Sequence, residues 1–167
     1  MKSMKSKIFA SGLALLITGL LLFQPEAKAQ VETGENIMTS AAQFGQIQYF
    51  RTLIEEVGLD DKLNEDGPFT VFAPTDEAFN EIPEAELQEL LESPDDLREV
   101  LLAHIAEGAY QAEDMADRDD LTMVNGVELN VDQHEGGISV GDALMVAADI
   151  VATNGVIHAV DKVILPE

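Results

Sequence analysis

No cysteine occurs in the 167-residue chain, which excludes a disulfide framework, a thiolate metal site and a thiol nucleophile. Tryptophan is absent too, so no indole is available as a platform for a sugar ring. Basic residues are scarce: 9 Lys+Arg stand against 32 Asp+Glu, a formal net charge of −23. Phosphate backbones repel such a chain, which argues against nucleic acid as a partner. Internal repeats and low-complexity tracts are also missing. A hydrophobic fraction of 46% is nonetheless enough for a core, so the length predicts one folded domain and not a disordered chain.

The start of the chain reads as an address. Lys2, Lys5 and Lys7 precede an apolar run from Ile8 to Phe23, and Ala27-Lys28-Ala29 forms a small-x-small end. This pattern predicts a secretory signal peptide over residues 1–29, cleaved before Gln30. The run is short for a membrane span, so no span is expected after cleavage and the protein is expected to be secreted or periplasmic. The remaining 138 residues hold 5 basic and 31 acidic groups, a net of −26. These acids are spread along the chain, as on a solvated surface. Asp60-Asp61 with Glu65-Asp66, and Asp117 to Asp120, are rich in oxygen ligands, but neither run follows a calcium-loop pattern. No metal and no cofactor are expected.

Residues 34–167 are expected to form a single α+β domain. Asn36 caps a helix from Ile37 to about Phe44, and Ile47, Phe50, Leu53, Ile54 and Val57 mark a second that stops at Gly58. Phe69–Ala73 reads as a buried strand, followed by Pro74-Thr75-Asp76, with Asp76 as cap of the next turn. Glu84 to Glu92 is helical. Ser93-Pro94 opens another helix whose stripe runs through Leu97, Val100, Leu101, His104 and Ile105 to a stop at Gly108, with a weaker helical turn at Ala112–Ala116. From Leu121 the period becomes two. Strands are expected at 121–124, 127–131, 138–140, 144–150 and 156–165, with hairpin turns at Asn125-Gly126, Gly136-Gly137 and Asn154-Gly155. Helices first and an antiparallel sheet last, joined by the early strand, is the expected arrangement.

Reactive constellations are sparse. His104, His134 and His158 have no metal-ligand spacing, and histidines on apolar faces are usually buried and satisfied by hydrogen bonds. Ser40, Ser93 and Ser139 carry no nucleophile motif, and Gly-x-Ser-x-Gly and phosphate-loop patterns are absent. No catalytic residue is assigned, and an enzyme is not expected.

Two blocks carry a family resemblance. One is Gly67 to Phe79, containing Thr70, Val71, Phe72, Ala73, Pro74, Thr75, Asp76 and Phe79. The other is Ala152 to Pro166, containing Asn154, Gly155, Val156, Ile157, His158 and Asp161. Together with Leu101-Leu102-Ala103-His104 between them, they resemble the signature of the fasciclin-like (FAS1) domain, in a single-domain secreted member of bacterial type. The resemblance implies a β-sandwich-like wedge of antiparallel strands with several helices packed on it. It also implies a non-enzymatic adhesion or extracellular-matrix interaction module. Most signature residues read as fold determinants. The family's Glu-Pro-Asp-Ile-Met element carries over only to Asp149 and Ile150, since Ala147, Ala148 and Val151 depart from it. Its Tyr-His pair carries over only to His104, because Ala103 replaces the tyrosine. Asp149, Ile150 and His104 are therefore the candidate partner-binding residues. The implied partner is a cell-surface or matrix component, and self-association is possible for a lone domain. An alternative implied by the family is a carrier of an apolar small molecule such as a carotenoid-type pigment, with Met115, Met123 and Met145 suited to its lining.

Overall fold

The structure is a computed structural model and describes residues 31–165; the predicted signal peptide lies outside the described residues. Among the described residues, six helices precede or follow the first long strand before the chain turns to β-structure. α1 (Ile37–Gln43) starts at Asn36, whose Oδ1 accepts the Thr39 amide at 2.9 Å. α2 (Gln48–Glu56) buries Phe50, Leu53 and Ile54, the stripe expected from its period. A short α3 (Asp60–Asn64), which the periodicity did not announce, anchors itself with Leu63. α4 (Asp76–Asn80) and α5 (Glu84–Glu92) follow the strand β2 (Phe69–Pro74).

The next helix, α6 (Pro94–Leu102), ends earlier than its stripe suggests. Ser93 occupies the cap position without a side-chain bond, and His104 lies beyond the last turn. Ile105 to Glu107 is a strand, β3, and not the end of a helix. Pairing decides this: Val71, Thr70 and Phe69 of β2 stand opposite Ile105, Ala106 and Glu107. A continuous ladder outweighs the helical preference of three residues. The one-turn α7 (Ala112–Ala116) appears where expected.

The remaining strands are β4 (Asp120–Thr122), β5 (Glu128–His134), β6 (Gly137–Val140), β7 (Ala143–Ala152) and β8 (Gly155–Val160), with a short β1 (Val31–Glu32) beside β7. Their order is β3-β2-β8-β7-β6-β5-β4. The two ends meet through an antiparallel bridge between Ala106 and Met123, and the Val124 amide donates to the Ile105 carbonyl at 2.8 Å. The result is one mixed sheet curled almost into a barrel.

This revises the expected sandwich of antiparallel strands. β2 and β8 run parallel over six residue pairs, and β1 is parallel to β7. The cause is visible in burial: every residue of β2 and β8 is buried, because both faces of these strands are covered. Phe69, Val71, Ala73, Ile157 and Ala159 face α1 and α2, while Phe72 and Val160 face the inside of the barrel with Met115, Met123 and Val140. Strand 156–165 is also shorter than expected and ends at Val160. There the Asp161 amide donates to the Leu144 carbonyl, and Asp161 Oδ1 accepts the Leu144 amide at 2.8 Å.

The glycine turns divide by cause. Gly126 (φ +88°) and Gly137 (φ +131°) adopt the left-handed backbone that favours glycine. Gly155 does not. It is required because a Cβ there would collide with the Phe69 carbonyl and the Ile37 side chain.

Candidate functional site

The polar signature residues are spent on the protein's own backbone. Asp76 was expected to cap its own turn, but Thr75 does so by accepting the Ala78 amide. Asp76 Oδ1 instead accepts the Tyr49 amide at 2.8 Å, closing the start of α2, which has no cap of its own. Asn154 accepts the Ile37 amide at 2.9 Å and donates to the carbonyls of Leu63 (2.6 Å) and Glu65 (3.0 Å). One amide thus ties α1 and α3 to the β7–β8 hairpin. Thr70 Oγ1 donates to Gly108 O and accepts the Tyr110 amide.

His104 is fully buried against the Phe50 ring. Its Nδ1 donates to the Val100 carbonyl at 2.7 Å, and its Nε2 accepts the Ile164 amide at 2.9 Å. Both ring nitrogens are used, with the ring neutral. Desolvation pushes its pKa from 6.5 down to about 4, outweighing the Val100 bond that raises it. His104 presents nothing to a partner.

His158 stacks on Phe72 inside the barrel, ring centroids 5.5 Å apart. Its Nε2 donates to the Tyr110 carbonyl at 2.7 Å, and its Nδ1 accepts the Asp149 amide at 3.2 Å. Burial lowers its pKa, against opposing contributions from the Tyr110 bond and the Asp149 charge. Opposite it, β7 bulges: Ala147 pairs with Ala159 and Ile150 with Ile157, leaving Ala148 and Asp149 against His158 alone. Asp149 occupies the bulge at φ +58°. Its Oδ1 accepts the Ala112 amide at 2.7 Å, at the first residue of α7. Ile150 beside it is 3% exposed and belongs to the core.

The three candidate partner residues therefore do not form one surface. Asp149 joins His158 in the bulge, Ile150 faces inward, and His104 serves a separate junction. Tyr110 was not singled out from sequence, although its carbonyl, amide and ring all take part: Arg118 lies over the ring at 4.4 Å. The available signal was Gly108, at φ +106°, where a Cβ would press on the Tyr110 ring. His134 is exposed, with Nε2 3.2 Å from Ser139 Oγ. Thr75, Pro74, Ala73 and Phe79 support the β2–α4 junction, where Tyr49 meets the edge of Phe79 at 4.7 Å.

The three methionines expected to line an apolar carrier pack into the barrel core. Met115 and Met123 are buried in the barrel interior and Met145 packs against them. The apolar cavity between α1, α2 and the sheet measures about 10 Å³, space for one water and not for a pigment. The larger hollow of about 420 Å³ at Gln46, Asp76, Glu81 and Val146 is open and rimmed by acids.

Comparison with known proteins matches the Fasciclin domain model to residues 45–166, well over half of the chain. The chain belongs to the fasciclin-domain family. Protein sll1483 of Synechocystis is 34% identical to this fasciclin protein over 167 residues, covering 90% of this chain and 92% of the relative. Transforming growth factor-beta-induced protein ig-h3 of Oryctolagus cuniculus is 35% identical over 108 residues, 65% of this chain and only 16% of that longer protein. Among solved structures, a FAS1 domain pair from the insect cell adhesion molecule Fasciclin I superposes with a TM-score of 0.61 at 17% identity, covering 80% of this chain and 51% of that one. That likeness bears on the fold of the fasciclin domain alone. No helix among its described residues is long and apolar enough to cross a membrane.

Proposed function

We propose that the protein is an exported, non-enzymatic adhesion module that binds a cell-surface or matrix component. The observation that carries this reading is the use of the signature side chains. Asp76, His104, Asn154, His158 and Asp161 each bond backbone groups of their own fold, so the residues typical of the family build a scaffold and leave recognition to the surface. Membership of the fasciclin-domain family, which implies an adhesion or matrix module, supports the same reading. Secretion into the periplasm or the medium follows from the sequence pattern of residues 1–29.

Retention of the labelled protein, purified from its own source, on that source's cells and matrix is the test. Saturable retention, competed by unlabelled protein, is the expected result. Absence of retention at every salt concentration would overturn the adhesion reading.

A further inference from the structure

We propose that the α5–α6 hairpin is a docking surface for a basic amphipathic helix of a partner protein, whose apolar side seats on Leu87, Leu90 and Leu91 while its lysines or arginines meet the flanking carboxylates. The inference deepens the adhesion reading and rests on it.

α5 is the anomaly among the helices. It has nine residues and none of them is buried, whereas α6 beside it buries Leu97, Val100 and Leu101. Yet α5 is not apolar-poor. Leu87, Leu90 and Leu91 recur at the spacing that puts them on one arc of a helix. Leu87 and Leu90 are half-buried against the body, and Leu91 remains 38% exposed. A helix whose apolar arc is only partly covered by its own domain leaves the outer part of that arc unpartnered.

Charge selects the occupant. By helical geometry Glu84 and Glu86 fall on the two flanks of the leucine arc, and Glu89 and Glu92 complete the exposed side. Asp95 and Asp96 add two exposed carboxylates at the start of α6. The hairpin's single cation, Arg98, is turned toward the body, where Nη1 donates to the Val57 carbonyl at 3.1 Å. A second copy of the chain would bring the same carboxylates face to face, and an anionic lipid surface or a nucleic acid would be repelled. A helix with an apolar stripe bordered by Lys or Arg complements both the leucine arc and its flanks.

The test is a titration of the full chain with a synthetic helical peptide of about 18 residues carrying a leucine stripe between lysines. A scrambled peptide of equal composition and a glutamate-for-lysine version serve as controls. The expected result is saturable binding of the first peptide, weakened about tenfold or more by Leu91→Glu or by Glu84→Lys with Glu86→Lys, and unaffected by Glu128→Lys with Asp132→Lys on β5. Equal binding of the scrambled peptide, or equal weakening by the β5 reversals, would overturn the proposal, since it would reveal only attraction to a polyanion. Leu91-dependent dimerisation in sedimentation would overturn it as well. Leu91→Ser, with unfolding curves for each variant, separates lost binding from lost fold. Cell and matrix retention separates the two levels: wild-type retention in Leu91→Glu removes the docking surface and leaves adhesion standing, whereas no retention of the wild type removes adhesion.

Discussion

His104 is a group whose neutrality the fold enforces. The unfolded chain takes up its proton as pH falls through about 6.5, but the folded chain does so only near 4. Between those values the unfolded state binds more protons, so stability declines as pH drops, by about 3 kcal/mol across the window. His158, also lowered, acts in the same direction. Urea midpoints at pH 7.5 and 5 should therefore differ, and His104→Gln, though less stable throughout, should show a flatter dependence. An unchanged slope in that variant would remove His104 as its source. Asp149 offers a second test. Its left-handed backbone and its bond to the Ala112 amide should make Asp149→Ala cost about 2 kcal/mol, and Asp149→Asn far less. Thermal unfolding of both variants decides this. A Val at the position should be worse than Ala, because β-branching resists positive φ.

Elements are held together here by single side chains that span them. Asn154→Ala removes three bonds, one to α1 and two to the end of α3, and a loss of about 3 kcal/mol is expected in chemical denaturation. Gly155→Ala should hardly fold at all, since the added methyl meets backbone that cannot retreat. Cost-free substitution at either site would contradict the account. These two neighbours also show what the sequence made legible. Helices such as α2 and α5 were visible from apolar spacing, because that spacing is local. The asparagine-glycine pair was visible as a hairpin, but its glycine is needed for a close approach from β2, which lies far off in the chain. β3 was hidden for the same reason: its residues continue a helical stripe, and only their pairing with β2 makes them a strand. The network at His158 was the least legible, since Asp149, Tyr110 and Ala112 meet it through backbone atoms that carry no residue-specific signal.

For the whole molecule, charge is the dominant surface property. The net of −26 expected after cleavage is balanced by few cations, and among the described residues Arg51 and Glu55 form the one ion pair, at 2.6 Å. Self-repulsion should therefore be screened by salt. Raising NaCl from about 0.02 M to about 0.5 M should increase the melting temperature by several degrees. A melting temperature unchanged or lowered by salt would show that the carboxylates lie too far apart to matter. The buried histidines predict loss of stability in mild acid, while carboxylate repulsion weakens there, so salt and pH together separate the two effects.

The parallel pairing of β2 with β8 has a bearing on the nascent chain. During synthesis β2 emerges early, and its Phe-Thr-Val-Phe-Ala stretch has one edge with no neighbour until residues 155–160 follow. Until then an apolar, β-prone segment is bare. The barrel interior also lacks Val160, and His104 lacks the Ile164 amide. The core is thus completed only when β8 pairs with β2. Until that pairing forms, the β2 stretch is the place where a holding chaperone has most to cover.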